Sequence, residues 1–230
     1  LAIQILRADP RIVVLGLCIA SFEASLFLFI MNWTPVLERT RSSTDQNPLP
    51  LGFIFAGYMV VTMIGSFVFY SLAKWIRVQS YMIVVFLLAA IGMTIPIIFP
   101  ESLISVLIGF ILFEFCVGIY TPSITVFSNT YIPNETRSTI LCYVRVPQMI
   151  ILLIVLLTHF SITMTLVLCV LLNLVAMLCV IILRRLKLPE EEVYVDETEI
   201  LLEKSSSPVN GSFSSASLTL QHSAKSKDEN

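Results

Sequence analysis

IVVLGLCIASFEASLFLFIMNWTPV, Ile12 to Val36, is twenty-five residues long and carries one charge, Glu23, near its centre. A helix needs only ~20 apolar residues to cross ~30 Å of hydrocarbon, so this stretch reads as a membrane span. LISVLIGFILFEFCVGIYTPSITVFS, Leu103 to Ser128, repeats the pattern with Glu114 as its single charge. A carboxylate at bilayer depth costs at least ~2.5 kcal/mol, and such residues usually line a polar path or pair with a cation. The two glutamates therefore point to a protein that moves a solute rather than to a passive anchor.

The rest of the chain agrees. It has 230 residues, 57% of them hydrophobic and only 13% charged. The apolar residues fall into six blocks, about 12–36, 51–73, 80–99, 103–128, 139–160 and 163–183. None shows the alternating polarity of a barrel strand, so the expected fold is an all-α membrane protein with six transmembrane helices across residues 1–187. Residues 188–230 are acidic and then serine-rich with no apolar period, and are expected to form a disordered tail. The net charge of −2 offers no footprint for nucleic acid.

Lysine and arginine set the expected orientation. Arg7, Arg11, Lys74, Arg77, Arg137, Arg184, Arg185 and Lys187 fall on the side of the N-terminus, against Arg39 and Arg41 on the other. Positive charge favours the cytosol, so both ends of the chain are expected there. The sequons at Asn32, Asn134 and Asn210 then lie in a span or in the cytosol, out of reach of glycosylation. All five cysteines fall within spans and read as free thiols. The chain opens on Leu1 without a signal-type leader and is expected to be a fragment of a longer protein.

Polar residues recur at helical spacing on four spans. Gly16, Ala20, Phe27 and Thr34 share the Glu23 face. Tyr58, Thr62, Ser66 and Tyr70 follow at intervals of four, and Glu114 lines up with Gly118, Thr121, Thr125 and Ser128. Arg145 and Gln148 open the fifth span, three apart. Spans three and six hold no charge and are expected to face lipid, with Asn173 the main polar residue of the sixth. The striped spans would enclose a water-accessible cavity; the plainer reading is hydrogen bonding between helices.

An internal echo accompanies this pattern. Phe22-Glu23 precedes Thr34-Pro35, and Phe113-Glu114 precedes Thr121-Pro122, each glutamate about eleven residues into its span. Spans one and four would be matching members of two three-helix units of opposite topology, as in transporters built from inverted repeats. Pro122 and Pro147 each free a carbonyl and permit a bend. Arg145 either snorkels to the cytosolic surface, pairs with Glu23 or Glu114, or binds an anion through its fork of donors. A buried glutamate beside it is a candidate for a coupling proton. The substrate and coupling set is thus Glu23, Glu114, Arg145, Gln148, Tyr58, Thr62 and Thr121.

Several clusters resemble the eukaryotic molybdate-anion transporters of the major facilitator superfamily. Phe22-Glu23-Ala24-Ser25 with Asn32-Trp33-Thr34-Pro35-Val36-Leu37 resembles their seventh span. Pro50-Leu51-Gly52-Phe53-Ile54-Phe55 resembles the start of the eighth. Phe113-Glu114 with Cys116, Gly118, Tyr120 and Pro122-Ser123 resembles the tenth, Ile132-Pro133-Asn134-Glu135 the loop after it, and Val144-Arg145-Val146-Pro147 the eleventh. The resemblance covers residues 5 to 185. It implies the C-terminal half of a twelve-helix transporter, with a missing N-terminal six-helix half as partner and molybdate or a related small anion as substrate. Gly65 to Arg77 departs from the family's loop motif, keeping only Lys74 and Arg77 of its basic residues.

Other readings remain open from the residues alone: a carrier of a sugar or other organic solute, or a non-transporting receptor or scaffold. An enzyme is disfavoured, and no cofactor is expected. His159 and His222 are the only histidines, neither with a metal-ligand partner, and no nucleotide-binding loop is present.

In the tail, Glu197-Thr198-Glu199-Ile200-Leu201-Leu202 resembles an acidic dileucine sorting signal, with Glu197 four residues ahead of the Leu201-Leu202 pair. It implies a clathrin adaptor as partner and cycling between the plasma membrane and endosomes or lysosomes. Replacing Leu201 and Leu202 together by alanine is expected to raise the surface-biotinylated fraction; an unchanged distribution removes the signal.

Overall fold

A computed structural model describes residues 10–40, 49–131, 137–158 and 160–186. The dileucine pattern (Glu197, Leu201, Leu202), the sequons at Asn134 and Asn210, His159 and His222 lie outside the described residues. The described residues form six helices: α1 (Pro10–Arg39), α2 (Leu51–Trp75), α3 (Val78–Ile98), α4 (Leu103–Tyr131), α5 (Arg137–Leu157) and α6 (Ile162–Arg185). All six are long and apolar enough to cross a membrane. The all-α, six-span expectation holds.

Packing follows the two-unit pattern of the echo. α1 packs on α5 and α6, α4 packs on α2 and α3, α3 meets α6, and α1 meets α4. Exchanging α1 with α4, α2 with α5 and α3 with α6 leaves this list of neighbours unchanged. The phenylalanines of the echo meet at its centre: Phe22 and Phe113 are near-parallel with ring centroids 6.0 Å apart. Around them Phe29, Phe86, Phe110 and Tyr120 complete an aromatic core, with Phe22 and Tyr120 at 4.1 Å.

Helices in a bilayer gain nothing from hiding apolar surface from lipid, so close backbone approach and interhelical hydrogen bonds must hold them. On α4 both are supplied by glycine. A Cβ on Gly65 would strike the Phe115 carbonyl oxygen and lie 3.0 Å from Gly118 Cα, and one on Gly118 would strike the Thr62 carbonyl oxygen. On the side facing α3, a Cβ on Gly109 would sit 2.5 Å from the Gly92 carbonyl oxygen. The prolines complete these contacts. Pro122 has no N–H for the Gly118 carbonyl, and Ser66 Oγ donates to that oxygen instead at 2.9 Å. Pro96 frees the Gly92 carbonyl in the same way, and that oxygen faces Gly109. α1, α3, α4 and α5 all continue through their internal prolines.

One expectation changes. Spans three and six do not simply face lipid. Each divides into a buried face and an exposed apolar one; on α6 the exposed residues are Met164, Val167, Leu171, Val175, Leu178 and Ile182. The buried face of α6 holds Asn173, whose Nδ2 donates to Ser25 Oγ (2.8 Å) and to the Cys169 carbonyl (2.7 Å), tying α6 to α1. A helix without charge can still use one amide to hold its neighbour. Gly65 sits inside α2, within the span expected at 51–73, and its missing side chain admits α4.

Gly118→Ala is expected to destabilise the protein in detergent by ~1–3 kcal/mol, because its methyl meets backbone rather than a movable side chain. Gly57 has nothing within 4 Å. Gly57→Ala is therefore expected to leave the melting temperature unchanged or raised.

Candidate functional site

The site forms where α5 crosses α1. Gly16 lets α5 approach: a Cβ there would lie 2.7 Å from Val144 Cγ2. The next residue on α5, Arg145, reaches Glu23, with Nε 3.7 Å from Oε2. This is a long, single-point ion pair. The Arg145 side chain is 62% exposed, whereas that of Glu23 is 19% exposed. The guanidinium therefore keeps most of its donors free for another acceptor. It lines a shallow groove of about 310 Å³ with Cys142, Val146, Met149, Ile150 and Leu153, an apolar surface around a single cation.

Gln148 lies one turn further along α5, 1% exposed, and neither of its amide atoms has a hydrogen-bond partner among the described residues. Tyr120 stands within electrostatic reach of both Glu23 and Arg145, and its buried hydroxyl likewise lacks a partner among the described residues. Buried polar atoms without partners are rare because each costs ~1–3 kcal/mol. Gln148 and Tyr120 are two such groups among the described residues, Gln148 on the helix that carries Arg145 and Tyr120 within electrostatic reach of the ion pair.

Glu114 occupies a separate place. It is 5% exposed, enclosed by the chain's own helices, and touches α2 rather than α5. Its Oε2 lies 2.8 Å from Thr62 Oγ1, which is also 2.9 Å from the Tyr58 carbonyl oxygen. The Tyr58 ring packs edge-on to Trp33 and Phe29, with its hydroxyl buried and unpartnered among the described residues. Of the two partners offered for Arg145 by the sequence, the geometry selects Glu23.

The seven sequence-derived residues thus fall into two groups and one outlier. Glu23 and Arg145 form the pair, with Gln148 on the same helix. Glu114, Thr62 and Tyr58 cluster between α2 and α4. Thr121 joins neither: it is exposed and donates its hydroxyl to the Val117 carbonyl of its own helix at 2.9 Å. The α2 stripe is consumed by helix packing over Tyr58, Thr62 and Ser66, while Tyr70 is exposed. Tyr120 was missing from the sequence-derived set. It stands seven residues, two helical turns, beyond Phe113 and so on the same face of α4, which was the available signal.

Six apolar spans pack as two interlocked three-helix units, with an ion pair between the units. The chain belongs to the major facilitator family described as sugar transporters with 12 membrane spans, whose model matches residues 1–121. It is a multi-pass membrane protein. Among curated proteins it is 30% identical over 153 residues to the molybdate-anion transporter of Danio rerio, covering 63% of this chain and 30% of that one. The molybdate-anion transporters of Takifugu rubripes and Xenopus laevis are each 29% identical over 63% of the chain. The chain spans about a third of the length of the curated relatives it matches. No solved structure matches it significantly.

The pairing of Glu23 with Arg145 is open to a charge-swap test. Glu23→Lys alone faces Arg145 with a second cation and is expected to destabilise the protein by ~1–3 kcal/mol. Adding Arg145→Glu is expected to restore most of the lost melting temperature; no recovery means that the two side chains do not interact.

Proposed function

We propose that this chain is part of a secondary transporter that carries molybdate or a related oxyanion, with the Glu23–Arg145 pair as its anion gate. The observation that carries this reading is the looseness of that pair: an arginine 62% exposed, bound through one nitrogen at 3.7 Å, in an otherwise apolar groove. A tightly held arginine would be structural. A loosely held one can exchange its carboxylate for a substrate oxyanion, since its planar fork matches two oxygens at once and stays charged.

The chemistry of the exchange follows from the residues. Without substrate, Glu23 neutralises Arg145 and lowers the cost of holding the cation among apolar side chains. An arriving oxyanion takes Arg145, whose remaining N–H groups can hold two of its oxygens at once. Glu23 then repels the anion, which keeps binding weak enough for release on the far side. The relatives' names support molybdate as the anion. No nucleotide chemistry is required, and we read the protein as a carrier rather than an enzyme. Residues 1–187 would act as one transporter half, completed by a second six-helix half, with residues 188–230 as a cytosolic tail. Both ends of the chain would face the cytosol and the protein would reside in the plasma membrane, with endosomal cycling if the tail signal is used.

The family description favours a second reading, a sugar or other neutral organic solute. Gln148 and the aromatic side chains suit hydroxyl groups as well as oxyanions. Labelled molybdate uptake separates the two. Arg145→Gln is expected to lower uptake roughly 10- to 100-fold, the loss of one or two charge-assisted hydrogen bonds. Unlabelled molybdate is expected to compete and sugars not to. Competition by a hexose, with Arg145→Gln unaffected, would establish the neutral-solute reading instead.

A further inference from the structure

Among the described residues, Glu23 has a cation beside it and Glu114 has none. The only partner of Glu114 among the described residues is Thr62 Oγ1, at 2.8 Å. That hydroxyl stands 2.9 Å from the Tyr58 carbonyl oxygen as well. A threonine hydroxyl has one proton to give and two lone pairs with which to accept. The Tyr58 carbonyl can only accept. If Thr62 donates to Tyr58, its contact with Glu114 is a hydrogen bond only when Glu114 brings a proton of its own.

The alternative is an ionised carboxylate, 5% exposed, with at most one neutral donor and no cation beside it. Burying a charge on such terms costs several kcal/mol. The neutral acid avoids that cost and completes a chain of two hydrogen bonds, from Glu114 to Thr62 to Tyr58.

Among the described residues, the surroundings offer no cation to reverse this. From α2, Tyr58 is the titratable group within electrostatic reach, and its phenol is itself buried. From α1, the rings of Phe22 and Phe29 face Phe113, while Glu23 is engaged by Arg145. From α3, the contacts with α4 run through Gly92 against Gly109 and through Tyr81 Oη with Ser123 Oγ at 3.1 Å. The two-unit arrangement sharpens the contrast. α2 stands to α4 as α5 stands to α1. Where α5 offers Glu23 a guanidinium, α2 offers Glu114 a hydroxyl.

We propose that Glu114 is a proton-binding site: in this conformation it is a carboxylic acid that donates to Thr62 Oγ1, which donates in turn to the Tyr58 carbonyl. On release the acid's O–H bond breaks, the carboxylate keeps the electron pair, and the proton passes to water. Release requires water to reach the acid, and therefore α2 to part from α4 along the Gly65–Gly118 contact. The proton's role in a transport cycle rests on the carrier reading above; its presence on Glu114 does not.

The experiment has two arms for that reason. Infrared spectra of the full protein in bilayers at neutral pH are expected to contain a carboxylic-acid carbonyl band. It is lost in Glu114→Gln, kept in Glu23→Gln and displaced in Thr62→Val. A wild-type spectrum without the band, or a band that survives Glu114→Gln, overturns the proposal. In vesicles, one coupled proton and a pH difference of one unit give about tenfold accumulation of substrate. Glu114→Gln is expected to retain exchange of labelled molybdate and to lose that accumulation. Wild-type accumulation in Glu114→Gln overturns the coupling role. The band without molybdate flux in any variant sustains the proton site and removes the molybdate reading.

Discussion

Everything in this helix bundle depends on how closely α4 lies against α2 and α3. Glycines at 65, 92, 109 and 118 bring carbonyl oxygens to within a side chain's thickness of the opposing backbone. In hydrocarbon the alternative to helix contact is lipid contact, which is equally apolar, so dispersion and hydrogen bonding at short range must decide. The proline-freed carbonyls lie in the same contacts: Gly118 receives a bond from Ser66, and Gly92 faces Gly109. A larger residue at any of these glycines would move α4 as a whole, and Glu114 with it.

That geometry sorts the two glutamates. Glu114 is one turn before Gly118, so the tight α2–α4 contact closes over it and leaves a hydroxyl as its partner. Glu23 lies on α1 where Gly16 admits α5 by way of a side chain, Val144, and the pair above that contact remains loose and accessible. Two carboxylates in equivalent positions of a repeated unit thus sit in different surroundings. Environments that separate such groups are a recurrent way of dividing tasks between two acids.

Much of the fold was legible in the chain. Six apolar blocks gave six helices, because length and hydropathy are local properties and the bilayer admits few alternatives. The echo of Phe-Glu located the two central helices, since a repeat in sequence becomes a repeat in packing. The polar stripe on α2 was visible too, but its use was not. Tyr58, Thr62 and Ser66 could equally have lined water; packed, Thr62 and Ser66 bond to α4 and Tyr58 packs edge-on against α1. Thr121 shares that pattern; it is exposed, and its hydroxyl donates to the Val117 carbonyl of its own helix.

The sequence by itself determined that this is a six-span helical membrane protein with two carboxylates within its spans and an arginine near the start of the fifth, because those features follow from composition and spacing along a single helix. Only the tertiary structure decided which carboxylate meets the arginine. Helical period places a side chain on a face, but which neighbouring helix that face meets depends on where glycines permit two backbones to close. Arg145 was equally available to both glutamates on paper. Packed, α5 lies beside α1, and Glu114 is left with Thr62.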